Sequence, residues 1–108
     1  MKNSAFASVL GIGLIIATAA TASNGVGLVS AIDRGDRFVE LPSVSADRDG
    51  FVEIRNIRGA TIGREPVRAG ANADVRVRLT QRARPGLRVL LFATGNAMPL
   101  AERRIRIK

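Results

Sequence analysis

The sequence predicts an all-β fold, a small two-sheet sandwich of about six or seven short antiparallel strands preceded by a signal-peptide helix. Three observations carry that expectation. Short apolar runs recur after residue 23 with Gly, Pro, Asn and Asp between them, the rhythm of strands and turns. Asp74 to Thr80 alternates strictly, with Val75, Val77 and Leu79 on one face and Arg76, Arg78 and Thr80 on the other, a period of two that a helix cannot present. After residue 23 no stretch spaces its apolar residues as a helix would.

Taken in order, Met1-Lys2-Asn3 is a short positive start, Ala5 to Ala20 is an apolar run, and Ala20-Thr21-Ala22 is a small-x-small cleavage signature. That order is the layout of a secretory signal peptide, residues 1–22, cut after Ala22. The alternative is an uncleaved membrane anchor, but the run is shorter than the about 20 residues a spanning helix needs and contains two glycines. No Cys follows for lipid attachment, and no second apolar stretch is long enough to span a membrane after cleavage. The expected location is periplasmic or secreted.

Residues 23–27 read as a flexible leader, and residues 28–108 as a single sandwich domain. Leu28 to Ile32 is the first candidate strand, stopped by Asp33-Arg34-Gly35-Asp36. Phe38 to Leu41 is the next, stopped by Pro42. Phe51 to Ile57 follows a turn at Asp49-Gly50, where Gly50 is expected to supply a positive φ. Thr61 to Gly63 and Glu65 to Arg68 read as edge-like pieces broken by Gly63 and Pro66. After the alternating Asp74–Thr80 segment, Arg84-Pro85-Gly86 turns the chain into Leu87 to Ala93, apolar on both faces in its second half and so a central strand. Arg103 to Lys108 closes the chain with Ile105 and Ile107 inward, while Arg104, Arg106 and Lys108 blunt an exposed edge. This count and spacing suit an immunoglobulin-like sandwich, with a small barrel as the alternative. The Cys, Trp and Tyr hallmarks of antibody domains are missing.

Composition excludes much chemistry. The 108 residues contain no His and no Cys, so there is no imidazole base, thiol nucleophile, disulfide or ordinary zinc site. No Ser-x-x-Lys or Gly-x-Ser-x-Gly arrangement occurs after the apolar run. No catalytic residue, no metal site and no cofactor is therefore expected, and the chain reads as no enzyme. Lys and Arg number 17 against 9 Asp and Glu, a net charge of +8, and beyond residue 22 every basic residue except Lys108 is Arg. Guanidinium forks match phosphate and carboxylate better than ammonium does, which points to anionic partners, although net charge also serves plain solubility.

From Asp49 to Asn96 the order of pieces is more specific. Asp49-Gly50-Phe51-Val52-Glu53-Ile54 is followed by Ile62-Gly63, by Gly70-Ala71-Asn72-Ala73-Asp74-Val75-Arg76-Val77-Arg78-Leu79, and by Gly86-Leu87-Arg88-Val89-Leu90-Leu91-Phe92. This resembles a family of small exported bacterial and archaeal β-domains of unknown function. The resemblance implies a sandwich and export, and it brings no known activity. Many relatives end the last of these strands with His and Asp, whereas Ala93-Thr94-Gly95 stands here, so any metal or acid–base role of that pair is absent from this chain.

Other motifs have plainer readings. Asp47-Arg48-Asp49-Gly50 contains the Asp-x-Asp-Gly of a calcium loop, but Ser45 and Asn56 occupy the outer ligand positions. Arg34-Gly35-Asp36 spells an adhesion tripeptide in an expected turn. Carboxylate pairs can be drawn among Glu40, Asp47, Asp49, Glu53 and Glu65, each with a turn or strand-face explanation. The candidates for an anionic ligand are Arg76, Arg78, Arg88, Arg104 and Arg106. They form one patch if their strands adjoin and disperse if the strands lie on opposite sheets. The partners they suit are an anionic glycan or a lipid headgroup. Nucleic acid is disfavoured by the shortage of aromatic residues, and a protein partner added at an exposed sheet edge is the alternative.

Overall fold

The computed structural model describes residues 24–108, so the expected signal peptide lies outside the described residues. Within them the chain forms seven strands: β1 (Gly25–Val26), β2 (Phe38–Ala46), β3 (Gly50–Arg55), β4 (Thr61–Val67), β5 (Gly70–Arg78), β6 (Arg88–Ala93) and β7 (Ala101–Arg104). They build two antiparallel sheets, β1-β2-β5 and β4-β3-β6-β7, and no described residue is helical. The architecture is a β-sandwich.

The alternation read from Asp74–Thr80 is what seals one side of it. Val75, Val77 and Leu79 are buried against Val39 and Leu41 of the neighbouring strand, while Arg76, Arg78 and Thr80 face out. From the opposite sheet Val52, Ile54, Val89 and Leu91 complete the core, each fully excluded from solvent. β6 is central in its sheet, between β3 and β7, and its outward residues Leu90 and Phe92 are buried as well as its inward ones. That two-faced burial accounts for the continuous apolar run Val89–Ala93.

Several expected boundaries shift, each for a physical reason. The flexible leader is ordered at Gly25–Val26, which pair with Ser45 and Val44, because Val26 has a buried slot at the sheet edge. Leu28 to Ile32 forms no strand and contributes only a single parallel bridge from Ile32 to Ile107. β2 runs through Pro42 instead of stopping there. Pro42 falls opposite Asp74, whose φ of 53° breaks the regular ladder, so the missing proline N–H is lost where pairing already fails. The burial alternation changes phase at the same place, from Val39 and Leu41 to Val44 and Ala46.

Gly50 is a strand residue without positive φ. Its Gly identity follows from close approach, since a Cβ there would collide with the Phe92 carbonyl oxygen of the next strand. The third strand ends at Arg55, leaving Ile57 in the β3–β4 hairpin tip. Thr61–Gly63 and Glu65–Arg68 merge into the one edge strand β4, with a bulge facing Ile54 and Arg55. The last strand begins earlier than expected, at Ala101, and Ile105 and Ile107 pack beyond its end.

The strand directions divide the turns between two ends of the sandwich. One end gathers the turns after β2, β4 and β6, held together by Asp49: its carboxylate accepts the Ala69 N–H at 2.8 Å and its carbonyl accepts the Thr94 N–H at 3.1 Å. Asn72 folds the β4–β5 turn by accepting the Arg68 N–H at 3.0 Å and donating to the Arg68 carbonyl at 2.8 Å. The other end gathers the β3–β4 hairpin, the long β5–β6 loop and the chain after β7.

Candidate functional site

The five arginines expected to grip an anion do not form one patch. Arg76 and Arg78 lie exposed on the outer face of the three-stranded sheet, beside Phe38. The Arg76 guanidinium sits 3.8 Å from the Phe38 ring centre and 3.9 Å from the Glu40 carboxylate, and the Arg78 guanidinium is 6.0 Å from the same ring. Arg88 and Arg104 belong to the other sheet, directly opposite one another on β6 and β7, and Arg106 follows β7. The reason is topological: β5 pairs with β2, whereas β6 pairs with β3 and β7.

What the fold does bring together is a different set, at the end opposite Asp49. The hairpin tip Asn56–Ala60 is tight, with the Asn56 side-chain oxygen accepting the Arg58 and Ala60 N–H groups at 3.0 Å each and Gly59 taking a φ of 84°. This turn lifts Ile57 out of the surface, where it is 77% exposed. Ile57 leans on Gly86, whose φ is 100°; a Cβ at Gly86 would lie 2.6 Å from the Ile57 Cβ. On one side of Ile57 is a hollow of about 320 Å³ lined by Arg58, Arg82 and Arg84, with the exposed Pro85. On the other side is a hollow of about 390 Å³ lined by Arg88, Arg104 and Arg106. Leu87 and Ile57 form the wall they share.

Most of these guanidinium groups lack a counter-charge. Arg88 is paired with Glu102 at 2.8 Å, but among the described residues Arg58, Arg82, Arg84, Arg104 and Arg106 make no salt bridge. Residues 1–23 contain no Asp or Glu that might serve. Besides Glu102, the 33–36 turn supplies carboxylates at this end: Asp33 lies 3.9 Å from Lys108, and Asp36 accepts the Asp33 N–H at 3.0 Å. Registry adds a second imbalance. Arg55, Arg88 and Arg104 stand in one row across β3, β6 and β7; Arg55 has Glu53 and Arg88 has Glu102, while Arg104 has none. Like charges opposite one another on adjacent strands repel, and a bound anion relieves that repulsion.

The row's first member belongs to a closed network. Glu53 points to the outer face of its sheet yet is only 5% exposed. One carboxylate oxygen accepts from Arg55 Nε and Nη2 at 3.1 and 2.9 Å and from the Thr61 hydroxyl at 3.1 Å; the other accepts from Arg64 at 2.6 Å. Burial alone pushes this carboxyl up, but the hydrogen bonds from Arg64, Arg55 and Thr61 outweigh it and hold the group below its ordinary value. Phe51 and Phe92 stack 5.4 Å apart under the same two arginines, Arg64 over Phe51 at 4.3 Å and Arg55 over Phe92 at 5.3 Å. These two arginines are consumed by the fold.

The remaining motifs are tied into turns. Asp49 is spent on Ala69, and Asp47 pairs with Arg48 at 3.5 Å. In the Arg34-Gly35-Asp36 turn the Gly35 N–H donates to the Ala83 carbonyl at 2.9 Å. Arg58, Arg82 and Arg84 are not among the arginines the sequence pattern singles out, because they sit in turns, where no periodicity marks a face. Their signal was density, two arginines within Arg82-Ala83-Arg84 just ahead of the central strand. No protein-family model matches the chain, and no curated protein does either.

Proposed function

We propose that the chain is an exported, non-enzymatic β-sandwich that binds an anionic component of the cell envelope or exterior, gripping it with arginines at the Ile57 end. The observation that carries this reading is the pair of adjoining hollows lined by five arginines without carboxylate partners. Guanidinium groups that the fold leaves unpaired are free to fork onto phosphate, sulfate or carboxylate, and each such contact is charge-assisted. Arg104 and Arg106 keep the role expected of them, Arg58, Arg82 and Arg84 join them, and Arg88 is shared with Glu102. Arg76 is set aside because Phe38 and Glu40 engage it, and Arg78 because it lies on the other sheet, apart from the two hollows. Export rests on the residue 1–22 pattern, in line with the family of small exported β-domains that the Asp49–Asn96 segment resembles.

The finer fold reading is immunoglobulin-like. In the constant-type immunoglobulin order the first, second, fifth and fourth strands form one sheet and the third, sixth and seventh the other. The present order differs only in that β4 pairs with β3 instead of β5. A partner added at a sheet edge has less to work with here. β1 has two residues and β7 four, while β4 and β5 approach each other: a Cβ at Gly63 would come within 2.8 Å of the Arg78 carbonyl oxygen, and the Thr80 N–H donates to Ile62 at 2.7 Å.

The test is binding of the mature chain, residues 23–108, to immobilised dextran sulfate across a range of salt concentrations. The expected result is binding that weakens steeply as salt rises, falls in the Arg104→Ser/Arg106→Ser variant, and persists in Arg76→Ser/Arg78→Ser. Absence of binding at low salt overturns the reading.

A further inference from the structure

The geometry points to a phospholipid surface as the form in which the anion is presented, with Ile57 as an apolar peg that enters the bilayer between two headgroup-binding hollows. The inference rests on the anion-binding reading and names its partner.

Three observations carry it. First, a strongly exposed residue at the basic end is aliphatic. Ile57 is 77% exposed at the tip of a hairpin, braced by Gly86, with Pro85 exposed beside it. A lone exposed apolar residue needs no explanation in itself. One raised on a tight turn and flanked on both sides by unpaired guanidinium groups has the composition of a segment that lies in a membrane interface: apolar tip, cationic collar. A soluble sulfated or carboxylated glycan has no apolar layer to receive an isoleucine, whereas a bilayer has one directly beneath its phosphates.

Second, the charges are distributed around the peg. Arg58, Arg82 and Arg84 line the hollow on one side and Arg104 and Arg106 the hollow on the other. A planar array of headgroups meets both hollows at once, and a single small anion meets only one. Each arginine close to an anionic membrane strengthens binding about fivefold, so two hollows engaged together hold far more than either alone.

Third, the opposite end is built differently. There Asp47 and Asp49 balance Arg48 and Arg68 among the turns, Asp49 is bound to Ala69, and the apolar residue that protrudes, Met98 at 76% exposure, sits in the 94–100 loop, which contains no charged residue. Attraction to a negative surface therefore orients the sandwich with its Ile57 end down. Residue 24 lies at the other end, where its side chain accepts the Asp47 N–H at 2.9 Å, so the Ile57 end is the one farthest from the point where the chain joins the sandwich.

The sequence contains no Trp, which makes a site-specific optical test simple. Ile57→Trp and Met98→Trp variants of the mature chain, residues 23–108, are mixed separately with vesicles of pure phosphatidylcholine and with vesicles containing phosphatidylglycerol, with and without bromine atoms on the acyl chains. The expected result is that Trp at position 57 shifts to shorter wavelength and is quenched by brominated chains in the phosphatidylglycerol vesicles only. The signal is lost at high salt, and the vesicle affinity falls about 25-fold when Arg104→Ser/Arg106→Ser is added. Trp at position 98 stays unchanged. Ile57→Ser lowers vesicle affinity about tenfold and leaves dextran sulfate binding unaltered. Arginine-dependent binding to dextran sulfate with Trp at position 57 still in water on every vesicle overturns the membrane inference and leaves the anion-binding reading standing. Failure to bind either probe overturns both. Equal responses at positions 57 and 98 overturn the orientation and with it the role of Ile57.

Discussion

The two ends of the sandwich treat their polar residues in opposite ways. At the Asp49 end, side chains are turned inward on the backbone: Asp49 caps the Ala69 N–H, and Asn72 bonds to Arg68, Gly70 and Val44. At the Ile57 end, Asn56 does comparable work in the hairpin, but of the arginines lining the two hollows only Arg88 meets a carboxylate. The same composition thus yields one end where two arginines stand among two carboxylates and another where five arginines are left without one. The difference teaches where to look for function in a domain without catalytic residue types: at the polar groups that the structure does not use.

Variants sharpen that contrast in order of their expected effect. Gly50→Ala should be the most damaging, since the new Cβ meets the Phe92 carbonyl between two central strands; the expected loss is about 3 kcal/mol, a drop in Tm of more than about 10 °C by calorimetry or circular dichroism. Asn72→Ala comes next, at roughly 2 kcal/mol, because one side chain satisfies both strands of the β4–β5 turn and reaches across to Val44. Asn56→Ala at the other end should cost about half as much, and equal losses at the two positions would undo the distinction between the ends.

Glu53→Gln should cost roughly 1.5 kcal/mol at neutral pH, by weakening charge-assisted bonds from Arg55 and Arg64. Its pH dependence is specific. The folded protein holds the Glu53 carboxyl below its ordinary value, so the stabilisation is fully present above the unfolded carboxyl range, about pH 4.3, and disappears as pH falls through the lower folded value. Wild type and Glu53→Gln should therefore differ in urea unfolding at pH 7 and converge in acid, and a gap that widens in acid would contradict the assigned network. Smallest of all on stability is Arg104→Ser/Arg106→Ser, which should move Tm by no more than about 2 °C. That variant nevertheless removes most dextran sulfate binding if the leftover arginines are the binding groups.

The fold was legible wherever local pattern and tertiary role coincide. Val75, Val77 and Leu79 alternate because one face of β5 is buried, and Val89–Ala93 is continuous because β6 is covered on both faces. Boundaries were less legible where a residue's reason lies on another strand. Pro42 looks like a stop until Asp74 is seen opposite it, and Gly50 looks like a turn residue until the Phe92 carbonyl is found against it. Of the candidate site, Arg104 and Arg106 were readable from an alternating terminal segment, whereas Arg58, Arg82 and Arg84 lie in turns that carry no periodic signal.

By itself the sequence determined the chemistry this protein has to work with: strands instead of helices, no imidazole or thiol, and an excess of guanidinium over carboxylate. Those properties follow from residue type and from spacing along the chain, both local. Only the tertiary structure decided which arginines meet a carboxylate and which do not, since Glu53 reaches Arg64 and Glu102 reaches Arg88 solely through strand pairing. Charge is additive along a chain, but neutralisation depends on distances of a few ångströms between residues far apart in sequence, and those distances are set by the order of strands in the sheets.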